Sequence, residues 1–98
     1  MDKSIHSHEY AAALKLLREI RENAGISQIE LAAKIGETQT FVSKCERGER
    51  RVDLIELRTF CTALGVPLRQ FVDRLEKALR RKHSQNAGTR SRWHPVRD

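Results

Sequence analysis

Residues Ser27 to Gly48, SQIELAAKIGETQTFVSKCERG, constrain this chain more than any other stretch. The segment Gln28 to Ile35 predicts a short helix, with Ser27 as an N-cap whose hydroxyl accepts a bond from an unpaired backbone N–H. Gly36 then supplies a turn conformation that residues with a Cβ adopt poorly. Thr38 is the next candidate N-cap, and a second helix runs through about Arg47 to a stop at Gly48. Leu31 and Ile35 share one helical face, as do Val42 and Cys45 three apart. Ala32 falls where one helix crosses the other, and a larger side chain there would push the two apart.

A small crossing residue, a glycine turn and four inward residues at these intervals form the helix-turn-helix pattern. Its second helix can enter the DNA major groove. Ser43 and Lys44 lie on the exposed side of that helix, and Lys44 can reach either guanine acceptors or a phosphate. Phe41 is expected on the outer face, where it either presses on a thymine methyl or sugar edge or folds back over the first two helices.

Charge supports this reading only locally. The net charge is +6 over 98 residues. Residues 1–79 carry 13 Lys+Arg against 12 Asp+Glu, a balance of +1, and residues 80–98 carry six against one, a balance of +5. The basic excess is therefore mostly C-terminal. Lys44, Arg47, Arg50 and Arg51 nevertheless cluster beside the second helix, relieved only by Glu46 and Glu49.

Apolar residues at 39% and charged residues at 33% indicate a soluble globular chain with one modest core. A long apolar run is absent, which argues against a membrane span. MDKSIHSHEY lacks an apolar signal core, so a cytoplasmic protein is expected. Cys45 and Cys61 fall on inward faces and read as buried free thiols. No metal-ligand spacing surrounds them, and His6 and His8 sit on a polar end.

The remaining elements follow in order. Residues 1–8 read as a flexible N-terminus, and residues 9–82 as the folded domain. Tyr10, Ala13, Leu14, Leu17 and Ile20 give an amphipathic first helix from Glu9 to Ala24, with a Lys15–Glu19 pair outside. Asp53 caps a fourth helix whose inner face is Leu54, Leu57, Phe60, Cys61 and Leu64. Pro67 opens a fifth, reaching about Arg81, with Leu68, Phe71, Val72, Leu75 and Leu79 along one stripe. Leu68, Phe71 and Val72 are expected to complete the core. Leu75 and Leu79 extend beyond it towards a partner surface in a homodimer. Residues 83–98 have no periodicity and read as a disordered basic tail, either solubilising or touching phosphate with Trp93 available for stacking.

With these helices placed, the chain resembles the Cro and lambda-repressor-like helix-turn-helix family, also called the xenobiotic-response-element (XRE) family. LREIRENAGISQIELAAKIG is similar to the family's first two helices. TQTFVSKCERGERRVDLIELRTFCTALGV is similar to its recognition helix, loop and fourth helix. The resemblance implies an all-α domain of five helices, often dimeric, reading short inverted repeats. It implies that Gln28 bonds a DNA phosphate and braces the recognition helix, and that Gln39 and Thr40 read bases. Thr38, Arg47, Arg50 and Arg51 look like backbone contacts, which orient without reading sequence. Arg21 and Glu46 match a partly buried salt bridge joining the first helix to the recognition helix. Two residues depart from the pattern. Ile29 stands where a polar residue is usual, hinting at an extra contact surface, and Cys45 where a larger apolar one is common.

The leading expectation is a regulator of transcription that binds double-stranded DNA, a dimeric repressor reading a pseudo-palindromic operator. An alternative is the antitoxin of a toxin–antitoxin pair, with residues 76–98 folding onto the toxin; a controller of restriction–modification genes is a further variant. Catalysis, cofactors, metals and small-molecule ligands are not expected. The chain offers no Gly-rich phosphate loop and no histidine near either cysteine within the domain.

Overall fold

The computed structural model describes residues 7–85, with side chains through Arg81. Five helices follow one another: α1 (His8–Asn23), α2 (Gln28–Ile35), α3 (Gln39–Glu46), α4 (Leu54–Ala63) and α5 (Leu68–Gln85). The described residues contain no strand. Of the expected disordered tail, residues 83–85 instead form the end of α5, while residues 86–98, Trp93 among them, and most of the proposed toxin-binding segment lie outside the described residues, as does His6.

Helix starts are set by short polar side chains. Ser27, Thr38 and Asp53 each accept a bond from the backbone N–H three residues on. At α2 and α4 a capping box completes the cap, because Glu30 and Glu56 reach back to the Ser27 and Asp53 N–H groups at 2.8 and 3.0 Å. Ser7 does the same for α1, accepting from Tyr10 N at 3.0 Å. Ser7 and His8 therefore belong to the first helix, which starts one residue earlier than expected. α5 runs to Gln85, beyond the expected end near Arg81.

The core gathers Leu17 and Ile20 of α1, Leu31 and Ala32 of α2, Val42 and Cys45 of α3, Phe60, Cys61 and Leu64 at α4, and Phe71 of α5. Both cysteines are free and buried, and desolvation pushes their thiols up, which keeps them protonated and apolar in character. Ala32 is 3% exposed and belongs to this core.

Three side chains depart from expectation. Leu54, placed on the inner face of α4, is 64% exposed. It heads its helix, and side chains lean towards the N-terminus, so it projects past the helix end rather than over the core. On α5, Val72 and Leu75 exchange places: Val72 is 42% exposed, whereas Leu75 packs against the core. Leu68, Phe71 and Leu75 keep a three-then-four spacing on one face, and Val72 stands about 100° round from Phe71. On α1 the Lys15–Glu19 pair is not formed. Arg18 and Glu22 pair at 3.0 Å instead.

Candidate nucleic-acid interface

The turn between α2 and α3 begins at Gly36, whose φ of 74° and ψ of 31° lie in the left-handed region. A Cβ at Gly36 would meet nothing within 4 Å, so the backbone conformation and not crowding selects glycine here. Glu37 N donates to Ala32 O at 2.9 Å and closes the end of α2. Thr38 then caps α3, accepting from Phe41 N at 3.1 Å.

A relay of polar side chains fixes α3 to α1 and α2. Arg21 donates from Nε to Glu46 Oε2 at 2.6 Å and from Nη2 to Glu46 Oε1 at 3.0 Å. Its Nη1 donates to Ile26 O at 2.8 Å, so the guanidinium also ties down the segment between α1 and α2. Both side chains are buried, and the hydrogen bond to Glu46 raises the Arg21 pKa above its ordinary value. Gln28 Nε2 donates to Glu46 Oε1 at 2.8 Å, and Gln39 Nε2 donates to Gln28 Oε1 at 2.7 Å. A buried ion pair is thus linked, through two amides, to the exposed first residue of α3.

Along α3, Thr40 and Lys44 are exposed beside Gln39, and Ser43 is half-buried. Arg47 donates to Ser43 Oγ and pairs with Glu49 at 3.0 Å. That pairing raises the Arg47 pKa and lowers that of Glu49. Arg50 pairs with Glu56 at 2.9 Å, and its guanidinium lies 4.6 Å from the centre of the Phe41 ring. The Arg51 guanidinium stands 5.8 Å from the centre of the Tyr10 ring. The loop after α3 therefore holds its cations against carboxylates and aromatic rings.

Phe41 is not on the outer face. It is half-buried, packs against the core and meets Phe60 edge-on at 6.3 Å between ring centres. Of its two expected placements the folded-back one occurs, though over α4 rather than over the first two helices. The helical count carried the signal: Phe41 lies four residues before the buried Cys45 and shares its side of α3.

A family profile described as helix-turn-helix matches residues 17–71. Among solved structures, an XRE-family like protein from Pseudomonas syringae pv. tomato is 47% identical. Its TM-score is 0.71, and the match covers 78% of this chain and 93% of that one. The chain belongs to the XRE-type helix-turn-helix family. It is a DNA-binding regulator of transcription. Control protein C.MunI of Mycoplasma sp is 36% identical over 64 residues, spanning 65% of this chain and 84% of that protein. A structure of the restriction-modification controller protein C.Esp1396I is 25% identical with a TM-score of 0.70, covering 74% of this chain and 97% of that one.

The loop that follows α3 is tied to α1. Its anchor was not foreseen: the Tyr10 hydroxyl accepts a bond from Val52 N at 2.9 Å, tying α1 to the loop's end. Tyr10 and Val52 are far apart in sequence, and no local pattern announces the bond. Glu49 and Glu56 likewise hold Arg47 and Arg50 in place.

Proposed function

We propose that this regulator is a dimeric repressor reading a pseudo-palindromic operator, with α3 of each protomer in successive major grooves about 34 Å apart. The observation that carries the reading is the relay from Arg21 through Glu46 and Gln28 to Gln39. An ionised carboxylate only accepts hydrogen bonds, so Gln28 must turn its NH2 to Glu46 and its carbonyl to Gln39. Gln39 then spends one N–H on Gln28 and keeps its carbonyl and second N–H, the pair that matches adenine N6 and N7. Thr40 adds a hydroxyl and a methyl, and Ser43 and Lys44 continue the reading face. Gln28 retains one N–H for a phosphate at the start of α2, where backbone N–H groups already favour an anion. Thr38, Arg47, Arg50 and Arg51 supply further backbone contacts. Phe41 is assigned to packing, because its ring is engaged by Phe60 and Arg50.

Dimerisation is assigned to the apolar side chains left outside the core on α4 and α5. Leu54 and Ile55 are 64% and 68% exposed, Val72 is 42% exposed, and Leu79 is half-buried. Leu75 drops out of this set because it packs inward. Sedimentation of the wild type against Ile55→Asp tests the assignment: a dimer is expected to become a monomer with unchanged helix content.

Selection of bound sequences from a random DNA pool at fixed salt tests the function. A two-fold symmetric site is expected, and Gln39→Ala with Thr40→Ala should flatten the preference within each half-site. An unchanged preference overturns the base-reading assignment. A controller of restriction–modification genes is a second reading, favoured by the likeness to the restriction-modification controller protein C.Esp1396I, with a TM-score of 0.70. Both share the interface and differ in the genes next to the operator.

A further inference from the structure

We propose that the groove between α1 and α5 is a docking site for an acidic amphipathic helix of a partner protein. The groove has a volume of about 600 Å³ and is lined by residues of these two helices alone. None comes from α2 or α3, so the surface is separate from the DNA-reading elements.

Its floor and rim differ in chemistry. Ala11, Ala12, Leu16 and Ala78 present small or apolar side chains. Three alanines leave room between two helices that larger residues would have filled. Lys15, Arg74, Lys77 and Arg81 stand along the same groove, with Glu19 the only lining carboxylate. Lys77 pairs with Asp73 at 3.4 Å, and the other three cations make no ion pair among the described residues. On α1 the lining runs from His8 to Glu19, about 16 Å or three helical turns at 1.5 Å per residue. A helix laid in such a groove buries one apolar stripe and points its flanks at the rim. Cations on the rim select acidic flanks.

Charge decides between occupants. The chain's own residues 86–98 carry Arg90, Arg92 and Arg97 against Asp98, so they match the rim in sign and are repelled. A second copy meeting groove to groove would oppose two basic rims. DNA would meet the cations, but the floor of Ala and Leu offers a phosphate backbone nothing. A partner helix with apolar residues on one stripe and Glu or Asp beside them satisfies both floor and rim.

The test uses the full chain and a designed helical peptide of about four turns, with Leu and Ala on one stripe and Glu on both flanks. A scrambled peptide of the same composition and a Lys-flanked version are the controls. Fluorescence anisotropy measures binding, and backbone amide shifts map it. The acidic peptide is expected to bind, to shift Ala11, Ala12, Leu16 and Ala78, and to weaken at least about tenfold with Arg74→Glu plus Arg81→Glu. Arg74→Lys plus Arg81→Lys should keep binding, and Lys44→Glu should leave the peptide bound while weakening DNA. The proposal is overturned if the acidic peptide does not bind, if the scrambled peptide binds equally, or if the shifts fall on α3. It is also overturned if the Arg74 and Arg81 charge reversals weaken operator DNA as much as Lys44→Glu, which would make the rim a DNA contact.

Discussion

Breaking the Arg21–Glu46 pair should cost more than any other single change at the interface, and removing both partners should cost far less. The two side chains are 8% and 3% exposed. Replacing Arg21 by Met keeps length but strips two donors from Glu46, leaving its carboxylate with the Gln28 N–H alone. An uncompensated buried charge of this kind costs about 3–5 kcal/mol. In a domain of this size each kcal/mol moves Tm by about 4–8 °C, so Arg21→Met should melt at least about 12 °C lower. In Arg21→Met with Glu46→Leu no charge remains to be desolvated. The chief residual loss is the bond to Ile26 O, about 1 kcal/mol. Circular dichroism melts and urea titrations of the wild type, both single variants and the double variant measure the coupling, expected at 2 kcal/mol or more by this arithmetic. The double variant should nevertheless discriminate operators poorly, because Gln28 has lost the acceptor that orients it. Additive single effects, or an Arg21→Met variant within about 1 kcal/mol of wild type, refute the reasoning.

Gly36→Val should destabilise by at least about 1–2 kcal/mol through its left-handed backbone, whereas Gly36→Asn should cost less; chemical denaturation separates them. Tyr10→Phe removes the acceptor for Val52 N, and a loss of about 0.5–1.5 kcal/mol is expected, with faster amide exchange at Val52. The Arg50 hydrogen bond, then the Asp53 N–H, lower the Glu56 pKa. Its stabilising contribution is therefore present above the unfolded value near about 4.3 and lost as pH falls through the folded one. The Tm gap between wild type and Glu56→Gln should be widest above about pH 5 and narrow as pH falls through the lowered folded value. Glu49→Gln frees Arg47 for phosphate, so operator affinity should rise and its salt dependence steepen in a titration of affinity against salt.

What could be read from the sequence was what short-range chemistry decides. Ser27, Thr38 and Asp53 announce helix starts because a cap acts over three residues, and Leu31, Val42, Phe60 and Phe71 are buried because helical periodicity puts them inward. Leu54 and Val72 were misplaced because they lie at the edge of an apolar stripe. There burial depends on which neighbour covers the edge, and periodicity does not contain that. Arg21 and Glu46 entered through the family resemblance, since nothing local joins residues on different helices. Tyr10 and Val52 had neither a local pattern nor a resemblance to join them. Phe41 shows a different failure: its side of α3 could have been counted from Cys45, but an aromatic beside Gln39 and Thr40 invites a reading in terms of DNA.

Nor does the interface rest on net charge. Residues 1–79 balance at +1. In the loop after α3, Arg47 and Arg50 are each matched by a glutamate. A surface so neutralised attracts DNA weakly at long range, because opposite charges side by side cancel beyond a Debye length of about 8–10 Å. Sequence preference must then come from groups held in fixed orientation at contact, and the relay behind Gln39 provides one. Its polarity is set at the buried end, where a carboxylate can only accept, and is passed on through two amides whose orientation would otherwise be free. The ion pair that secures the fold is in this way also what orients Gln39, the first side chain of the proposed reading face. Substitutions at Arg21 or Glu46 should therefore alter which DNA is chosen even in variants whose stability has been restored.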